Sequence, residues 1–219
     1  MSYLLFYAPG TASLAVHWML IELGVEFQAQ RLDLKAGEQR SAAYLKLNPS
    51  GRVPTLVLDG RAHTESAALL MLLAERHPAA RLAPAMGDAG RGKWLETMVY
   101  LTNTLSSAMR DWFYAEQDGD PVDALAIRRL ARRRVESSWD RLNSMLDDRR
   151  PYLLGSKMTT ADLLATMLMR WARNMPRPET GWDNIEPYVT RMRGRPAFLE
   201  VCRREELTEW HSDDGLPTD

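Results

Sequence analysis

The chain has 219 residues, of which 45% are hydrophobic, a formal net charge of −1 and one cysteine, Cys202. This length suits one large domain or two modest ones, and the nearly balanced charge argues against nucleic acid as the main partner. One cysteine excludes an internal disulfide and fits a reducing compartment, so we expect a cytoplasmic protein. The sequence shows no apolar run of about 18 residues, no signal-peptide pattern and no metal-ligand spacing. We therefore expect neither a membrane partner nor a bound metal.

The first 80 residues predict an α/β domain. Strand and helix patterns follow one another along it: strand 4–7, helix 13–23, strand 27–32, helix 41–47, strand 55–58, a short strand after the turn Asp59-Gly60, and helix 65–77. The first strand, helix and strand form a βαβ unit, whose two strands should be parallel. The whole order is that of a thioredoxin-like domain with a four-stranded mixed sheet.

Beyond residue 80 the strand signals stop. Residues 81–90 read as a linker, because proline and glycine recur there without periodicity. Helical patterns follow at 93–114, 121–147, 160–175, 187–193 and 196–207. Thr159 and Asp162 form a capping-box pattern before a helix that is apolar on most faces, which predicts a buried central helix. We expect an all-helical domain over residues 91–211 and a flexible tail over 212–219.

One charge cluster lies in the second of these helices and consists of Arg128, Arg129, Arg132, Arg133 and Arg134. A solvated helix face, partly paired with Glu136 and Asp140, is favoured over a nucleic-acid patch because the net charge is balanced.

The stretch Asn48–Gly60 carries the main functional signal. Asn-Pro-Ser-Gly is a loop by composition, and Val53-Pro54 leads from it into a strand. A proline at this point removes a ladder donor, so the N–H and C=O of Val53 stay open to an extended ligand. The helix that begins near Glu65 offers unpaired N–H groups to a carboxylate. Together these features suit a small extended peptide with an acidic end.

This pattern closely resembles the glutathione site of the cytosolic glutathione transferases, and the likeness runs over almost the whole chain. It implies that Pro54 is cis, that Glu65 and Ser66 hold the γ-glutamyl group, and that glutathione is a co-substrate. It also implies a two-fold homodimer and an α/β domain followed by an all-α domain. Val53, Pro54, Glu65 and Ser66 are thus candidate glutathione contacts, and the others are Thr11, Lys35 and Arg52. Lys35 either meets the glycyl carboxylate or is only solvated.

The segment Tyr7–Leu14, Tyr-Ala-Pro-Gly-Thr-Ala-Ser-Leu, is similar to the signature of the bacterial beta class, Tyr-x-Pro-Gly-x-Cys-Ser-Leu. Ala12 stands at the position of the class cysteine, so a mixed disulfide with glutathione cannot form there. The class histidine and asparagine fall on Ser106 and Val99. Thiol–disulfide activity is therefore not expected, while conjugation is.

Glutathione chemistry needs a thiolate. Lowering a thiol pKa of about 8.5 by ~1.5 units requires roughly 2 kcal/mol of preferential thiolate stabilisation. We predict Ser13 as the hydrogen-bond donor to sulfur, with Tyr7 nearby and Ser106 as a helper. Ser13 is alternatively an N-cap, and Tyr7 is alternatively a buried tyrosine with a satisfied hydroxyl.

Four large apolar side chains lie on two helices of the predicted second domain: Met109, Trp112, Phe113 and Trp171. The resemblance implies an electrophile pocket at this place, and core packing is the alternative. The pocket is favoured for Met109 and Trp171, and the core for the other two.

The leading hypothesis is an enzyme that conjugates the glutathione thiolate to small hydrophobic electrophiles, a detoxification reaction. One alternative is a glutathione-dependent isomerase or dehalogenase. Another is a non-catalytic binding or regulatory protein on the same scaffold. His17, His63, His77 and His211 show no triad or metal context, and no role is assigned to them.

Overall fold

The structure is a computed structural model of the chain and describes residues 2–118 and 120–210. It divides into two compact units, one with residues up to Ala83 and from Arg193 onward, the other with Pro84–Met192. The last helix thus belongs to the first compact unit, whereas the sequence analysis assigned it to the helical domain, 91–211. The predicted tail, 212–219, lies outside the described residues.

The first unit has the predicted thioredoxin-like arrangement. Its strands and helices are β1 (Tyr3–Tyr7), α1 (Leu14–Glu22), β2 (Gln28–Arg31), α2 (Ala42–Leu45), β3 (Thr55–Leu58), β4 (Arg61–Thr64) and α3 (Ser66–Arg76). The described residues form one four-stranded sheet in the order β2-β1-β3-β4, in which β1 and β2 are parallel and the other pairs antiparallel. The α/β fold class and the mixed sheet are thus confirmed.

Helix α1 is the core of the first unit. Its residues from Leu14 to Leu20 are all buried, because a neighbour covers the side away from the sheet. That neighbour is the last helix, Pro196–Arg204, whose Phe198 ring packs on Trp18 with 4.9 Å between centroids. Burial on both sides explains why a nine-residue helix carries apolar residues all round.

The second unit is helical throughout its regular structure. Its elements are α4 (Arg91–Tyr100), a π-helical segment (Leu101–Ser106), α5 (Ser107–Phe113), α6 (Ala115–Asp118), α7 (Ala124–Met145), α8 (Thr160–Ala172) and α9 (Ile185–Arg193); the last helix of the chain, in the first unit, is α10. The helix predicted over 93–114 is therefore interrupted by a π segment, a feature that the apolar periodicity does not encode.

Helix α8 is the predicted central buried helix. All of its residues except Trp171 are buried. The Asp162 carboxylate accepts a hydrogen bond from the Thr159 N–H at 2.7 Å and another from the Leu153 N–H at 2.9 Å. The capping interaction predicted from the Thr159–Asp162 spacing therefore holds the start of this helix.

The arginine cluster of α7 is a solvated face in which Arg132 pairs with Glu136 at 2.6 Å. Asp140 does not join it, because that carboxylate accepts from the Trp182 indole N–H at 2.7 Å instead. Within residues 2–118 and 120–210, no helix is long and apolar enough to cross a membrane.

Candidate functional site

The strand register of the first unit brings three predicted segments to one end of the sheet. Strands β3 and β4 pair with Thr55 opposite Thr64, and β1 pairs with β3 so that Phe6 lies opposite Thr55. Val53–Pro54 therefore enters β3 at the end of the sheet where Glu65–Ser66 leaves β4. The loop that follows β1 starts at the same end.

The backbone of Val53 is an unpaired edge. The Val53–Pro54 peptide is cis, as the resemblance implied, and β3 begins only at Thr55. In the part of the chain that the structure describes, nothing hydrogen-bonds to the N–H or C=O of Val53. This donor and acceptor can pair with an extended peptide as a neighbouring strand would.

The start of α3 is a second set of free donors. The N–H groups of Ser66, Ala67 and Ala68 have no acceptor among the described residues, as is usual for the first turn of a helix. Glu65, at the N-cap, has φ 68° and ψ 109° and does not cap the helix with its side chain. A non-glycine residue in this region of φ and ψ costs about 1–3 kcal/mol, and such residues cluster at functional sites.

The loop after β1 is joined to α3 and held internally by hydroxyl groups. Ser66 Oγ donates to the carbonyl of Ala12 at 2.6 Å. Ser13 is fully buried; its Oγ donates to the Ala8 carbonyl at 3.0 Å and accepts from the Ala8 N–H at 3.2 Å. Thr11 Oγ1 donates to the same carbonyl at 2.8 Å. Thr11 Oγ1 also lies 3.0 Å from Ser13 Oγ, where either oxygen can donate. The hydroxyl protons of Ser13 and Thr11 are therefore both used inside the loop.

Ser13 thus differs from both of its sequence interpretations. It occupies the N-cap position of α1 but makes no capping hydrogen bond, so the N-cap interpretation is wrong. A donor role toward a ligand sulfur would require the buried hydroxyl to leave Ala8. As it stands, Ser13 holds the loop closed.

Tyr7 has a free hydroxyl. The residue is 8% exposed, and no hydrogen-bond partner of its phenol is present among the described residues. Burial raises the pKa of Tyr7, and the negative charge of Glu205 raises it further. The side chain is therefore a neutral phenol at physiological pH, with a proton available to donate.

A buried pair that the sequence did not reveal supports the loop. Glu205 Oε1 lies 2.8 Å from His17 Nδ1 on α1, and its Oε2 accepts from the Gly10 N–H at 2.8 Å. His17 and Glu205 are each 1% exposed, and the His17 ring packs on Tyr7 with 4.9 Å between centroids. No short motif links two residues 188 positions apart, so only the packing of α10 on α1 identifies the pair.

Two exposed cations flank the site. Arg52 precedes the Val53 edge, and Lys35 follows β2, whose C-terminal end is aligned with that of β1 by the parallel register. Neither side chain has an ion-pair partner among the residues that the structure describes. Lys35 is therefore solvated in the structure, and its ammonium group is available to a ligand carboxylate.

The candidate residues of the second unit divide by exposure. Met109 has no exposed surface, so it does not line an open pocket, and the pocket prediction for it is wrong. Phe113 is 42% exposed, which contradicts the core interpretation. Trp112 and Trp171 are half-buried. Ser106 is half-buried at the end of the π segment.

Comparison with known proteins gives consistent matches. A family model described as the glutathione S-transferase N-terminal domain matches residues 11–76. The glutathione S-transferase GstA of Escherichia coli O157:H7 is 29% identical over 205 residues, which cover 93% of this chain and 98% of that protein. A sphingomonad glutathione S-transferase complexed with glutathione is 30% identical with a TM-score of 0.81, over 93% and 99% of the two chains. A Sulfitobacter glutathione transferase homologue with bound glutathione is 26% identical with a TM-score of 0.84, over 93% and 98%.

Proposed function

Because this chain belongs to the glutathione S-transferase superfamily, we propose that it binds glutathione in its first unit and conjugates the thiolate to small hydrophobic electrophiles. The observation that carries the proposal is that two features meet at one end of the sheet. These are the unpaired backbone of Val53 and the strained start of α3, which has no side-chain cap. We assign the γ-glutamyl, cysteinyl and glycyl parts of glutathione to neighbouring groups of this site, one part after the other.

The γ-glutamyl carboxylate accepts hydrogen bonds from the first N–H groups of α3, where the helix dipole favours an anion. Its ammonium group pairs with the Glu65 carboxylate, and the hydroxyl of Ser66 keeps this helix end against the loop. The cysteinyl backbone pairs with Val53 in strand-like fashion. The glycyl carboxylate meets the exposed cations Arg52 and Lys35.

The sulfur lies near the loop that follows β1, and the Tyr7 phenol is its hydrogen-bond donor. Tyr7 is preferred to Ser13 because its proton is free, whereas the Ser13 proton is taken up inside the loop, by the Ala8 carbonyl or by Thr11 Oγ1. Thr11 closes the loop beside the sulfur. Catalysis then consists of thiolate stabilisation and the approximation of two bound reactants.

The second substrate is a small apolar electrophile. Trp112, Phe113 and Trp171 present partly exposed aromatic surface in the second unit, and such surface favours apolar, planar compounds. We also propose that the protein is a cytoplasmic homodimer with a role in detoxification.

The test uses the full chain with glutathione and a panel of aryl halides, epoxides and isothiocyanates. Calorimetry should show glutathione binding, and at least one electrophile should be consumed faster than in buffer. Glu65→Gln removes the partner of the ligand ammonium, so it should weaken glutathione binding by on the order of tenfold.

Glu75→Gln is the matched control, since Glu75 is an exposed carboxylate near the other end of the same helix; its glutathione affinity should equal that of the unaltered protein. Absence of glutathione binding by the folded, unaltered protein contradicts the proposal. If turnover occurs without net loss of glutathione, the reaction is an isomerisation instead.

A non-catalytic glutathione-binding protein is the second candidate. It is favoured by Ala12 at the beta-class cysteine position and by the engagement of the Ser13 hydroxyl with Ala8. Tight glutathione binding without turnover of any electrophile would support this candidate over the enzyme.

A further inference from the structure

We infer that Asn48 and Tyr44 are positioning residues for glutathione, because together they clamp both ends of the Val53–Pro54 segment. The inference rests on the proposed function and adds to it two side chains that do not face the ligand. It concerns how the Val53 edge is presented rather than the chemistry at sulfur.

The clamp has two anchor points, one on each side of the edge. The carbonyl of Arg52, just before Val53, accepts from the Tyr44 hydroxyl at 2.6 Å and from Asn48 Nδ2 at 2.7 Å. The hydroxyl of Thr55, just after Pro54, lies 2.8 Å from the Tyr44 hydroxyl and 3.1 Å from Asn48 Nδ2. Each clamping side chain therefore contacts both anchors.

Each hydroxyl and amide hydrogen of these side chains can be assigned to one hydrogen bond. Tyr44 has one hydroxyl proton, which goes to the Arg52 carbonyl, so Tyr44 must accept the proton of Thr55. Asn48 has two amide protons, one for the Arg52 carbonyl and one for the Thr55 oxygen. The four groups form a closed ring in which every proton is used once, and such a ring favours one arrangement of the backbone.

The clamping side chains are themselves fixed. Asn48 Oδ1 accepts from the N–H of Ser50 at 3.1 Å and from its hydroxyl at 2.7 Å, which sets the orientation of the amide. The Tyr44 ring packs on Phe6 with 5.5 Å between centroids, in an apolar cluster that includes Leu32. Asn48 and Tyr44 are each 3% exposed and Thr55 is fully buried, so water does not compete for these bonds.

The loop that connects Asn48 to Val53 is closely packed at Gly51. Gly51 has φ +60°, and a Cβ at that position would lie 2.8 Å from Arg40 Nη1 and 3.0 Å from the Gln39 carbonyl. The turn at Gly51 is therefore closely packed, and the clamp sets the direction in which the N–H and C=O of Val53 point. Loosening the clamp should lower the fraction of molecules with the edge in its binding position.

The experiment compares three near-isosteric variants, Asn48→Asp, Tyr44→Phe and Thr55→Val. Asn48→Asp places a carboxylate oxygen against the Arg52 carbonyl. Tyr44→Phe removes one of the two hydrogen-bond donors to that carbonyl, whereas Thr55→Val leaves both of these donors in place. Glutathione affinity by calorimetry should therefore fall most in Asn48→Asp, by about fivefold in Tyr44→Phe, and least in Thr55→Val. The KM for glutathione should rise in the same order, while kcat at saturating glutathione and the KM for the electrophile stay unchanged.

Tyr188→Phe is the matched control for a loss of stability. Tyr188 is 1% exposed, and its hydroxyl donates to the Asp162 carboxylate at 3.0 Å in the other unit. It should lower Tm as Tyr44→Phe does, but leave glutathione affinity unchanged. Equal glutathione affinity in the unaltered protein and all three clamp variants overturns the inference alone. Failure of the unaltered protein to bind glutathione instead overturns the proposed function and the inference with it.

Discussion

Two residues near the proposed sulfur position show how neighbouring groups decide the role of a hydroxyl. Ser13 and Tyr7 are both candidate donors by sequence, and both are mostly buried. Ser13 lies beside the Ala8 backbone, whose N–H and C=O occupy its oxygen and its proton. Tyr7 has an aromatic neighbour, His17, instead of a hydrogen-bond acceptor. The phenol is therefore the group with a proton left for a ligand.

Tyr7→Phe should raise the pKa of glutathione-bound thiol toward about 8.5, its value in solution. The acid limb of the kcat/KM profile should then move to higher pH, because the thiolate loses its donor. At saturating glutathione, kcat of the unaltered protein should not fall between neutral pH and about pH 10, since the pKa of Tyr7 lies above the usual value of a tyrosine.

Ser13→Ala serves as the comparison for this pH profile. It should lower stability, because the Ala8 N–H and C=O both lose a partner, but leave the thiol pKa as in the unaltered protein. The opposite outcome, a thiol pKa that shifts in Ser13→Ala and not in Tyr7→Phe, would make Ser13 the donor and contradict the assignment of Tyr7.

At the scale of elements, the packing partner of the last helix, α10, could not be predicted from its sequence. The periodicity of residues 196–207 predicts a helix, and its placement after four other helical segments suggested the all-helical domain. The structure instead packs α10 on α1, where Glu205 at its end holds His17 and the Gly10 N–H. Helical periodicity identifies the apolar face of a helix, but it does not identify the element that packs on that face. The packing partner is known only from the folded structure.

Glu205→Gln should destabilise the protein by about 1–3 kcal/mol, because an amide supplies only one acceptor oxygen for the two donors that the carboxylate now holds. Chemical denaturation should show a lower midpoint, and limited proteolysis should cleave more readily near Gly10. Glu206→Gln is the control: Glu206 is the next residue and its carboxylate, 75% exposed, pairs with Arg31, so its loss should leave the midpoint nearly unchanged. Equal midpoints for both variants would mean that the Glu205 contacts do not support the loop.

At the scale of the whole molecule, the proposed homodimer makes a simple prediction. Sedimentation at micromolar concentration should give twice the chain mass of 24.9 kDa. Exposed apolar side chains of the second unit, Val99 at 58% and Leu125 at 66%, supply surface that a second copy can cover. A mass equal to that of one chain at micromolar concentration would contradict the homodimer.

The sequence by itself determined the order of elements, the thioredoxin-like sheet, the capped central helix and the Val53–Pro54 and Glu65–Ser66 segments. These features depend on local signals, namely alternation, helical periodicity, turn residues and capping pairs, which act within a few positions of one another. The cis peptide at Pro54 came from the family resemblance carried by such a local motif.

Only the tertiary structure decided which side chains are free to act. The burial of Met109 and Ser13, the exposure of Phe113, the pairing of His17 with Glu205 and the clamp of Asn48 and Tyr44 on the Arg52 carbonyl all depend on contacts made after folding. A side chain's chemistry is fixed by its type, but its available protons and exposed surface depend on which neighbours the fold places against it.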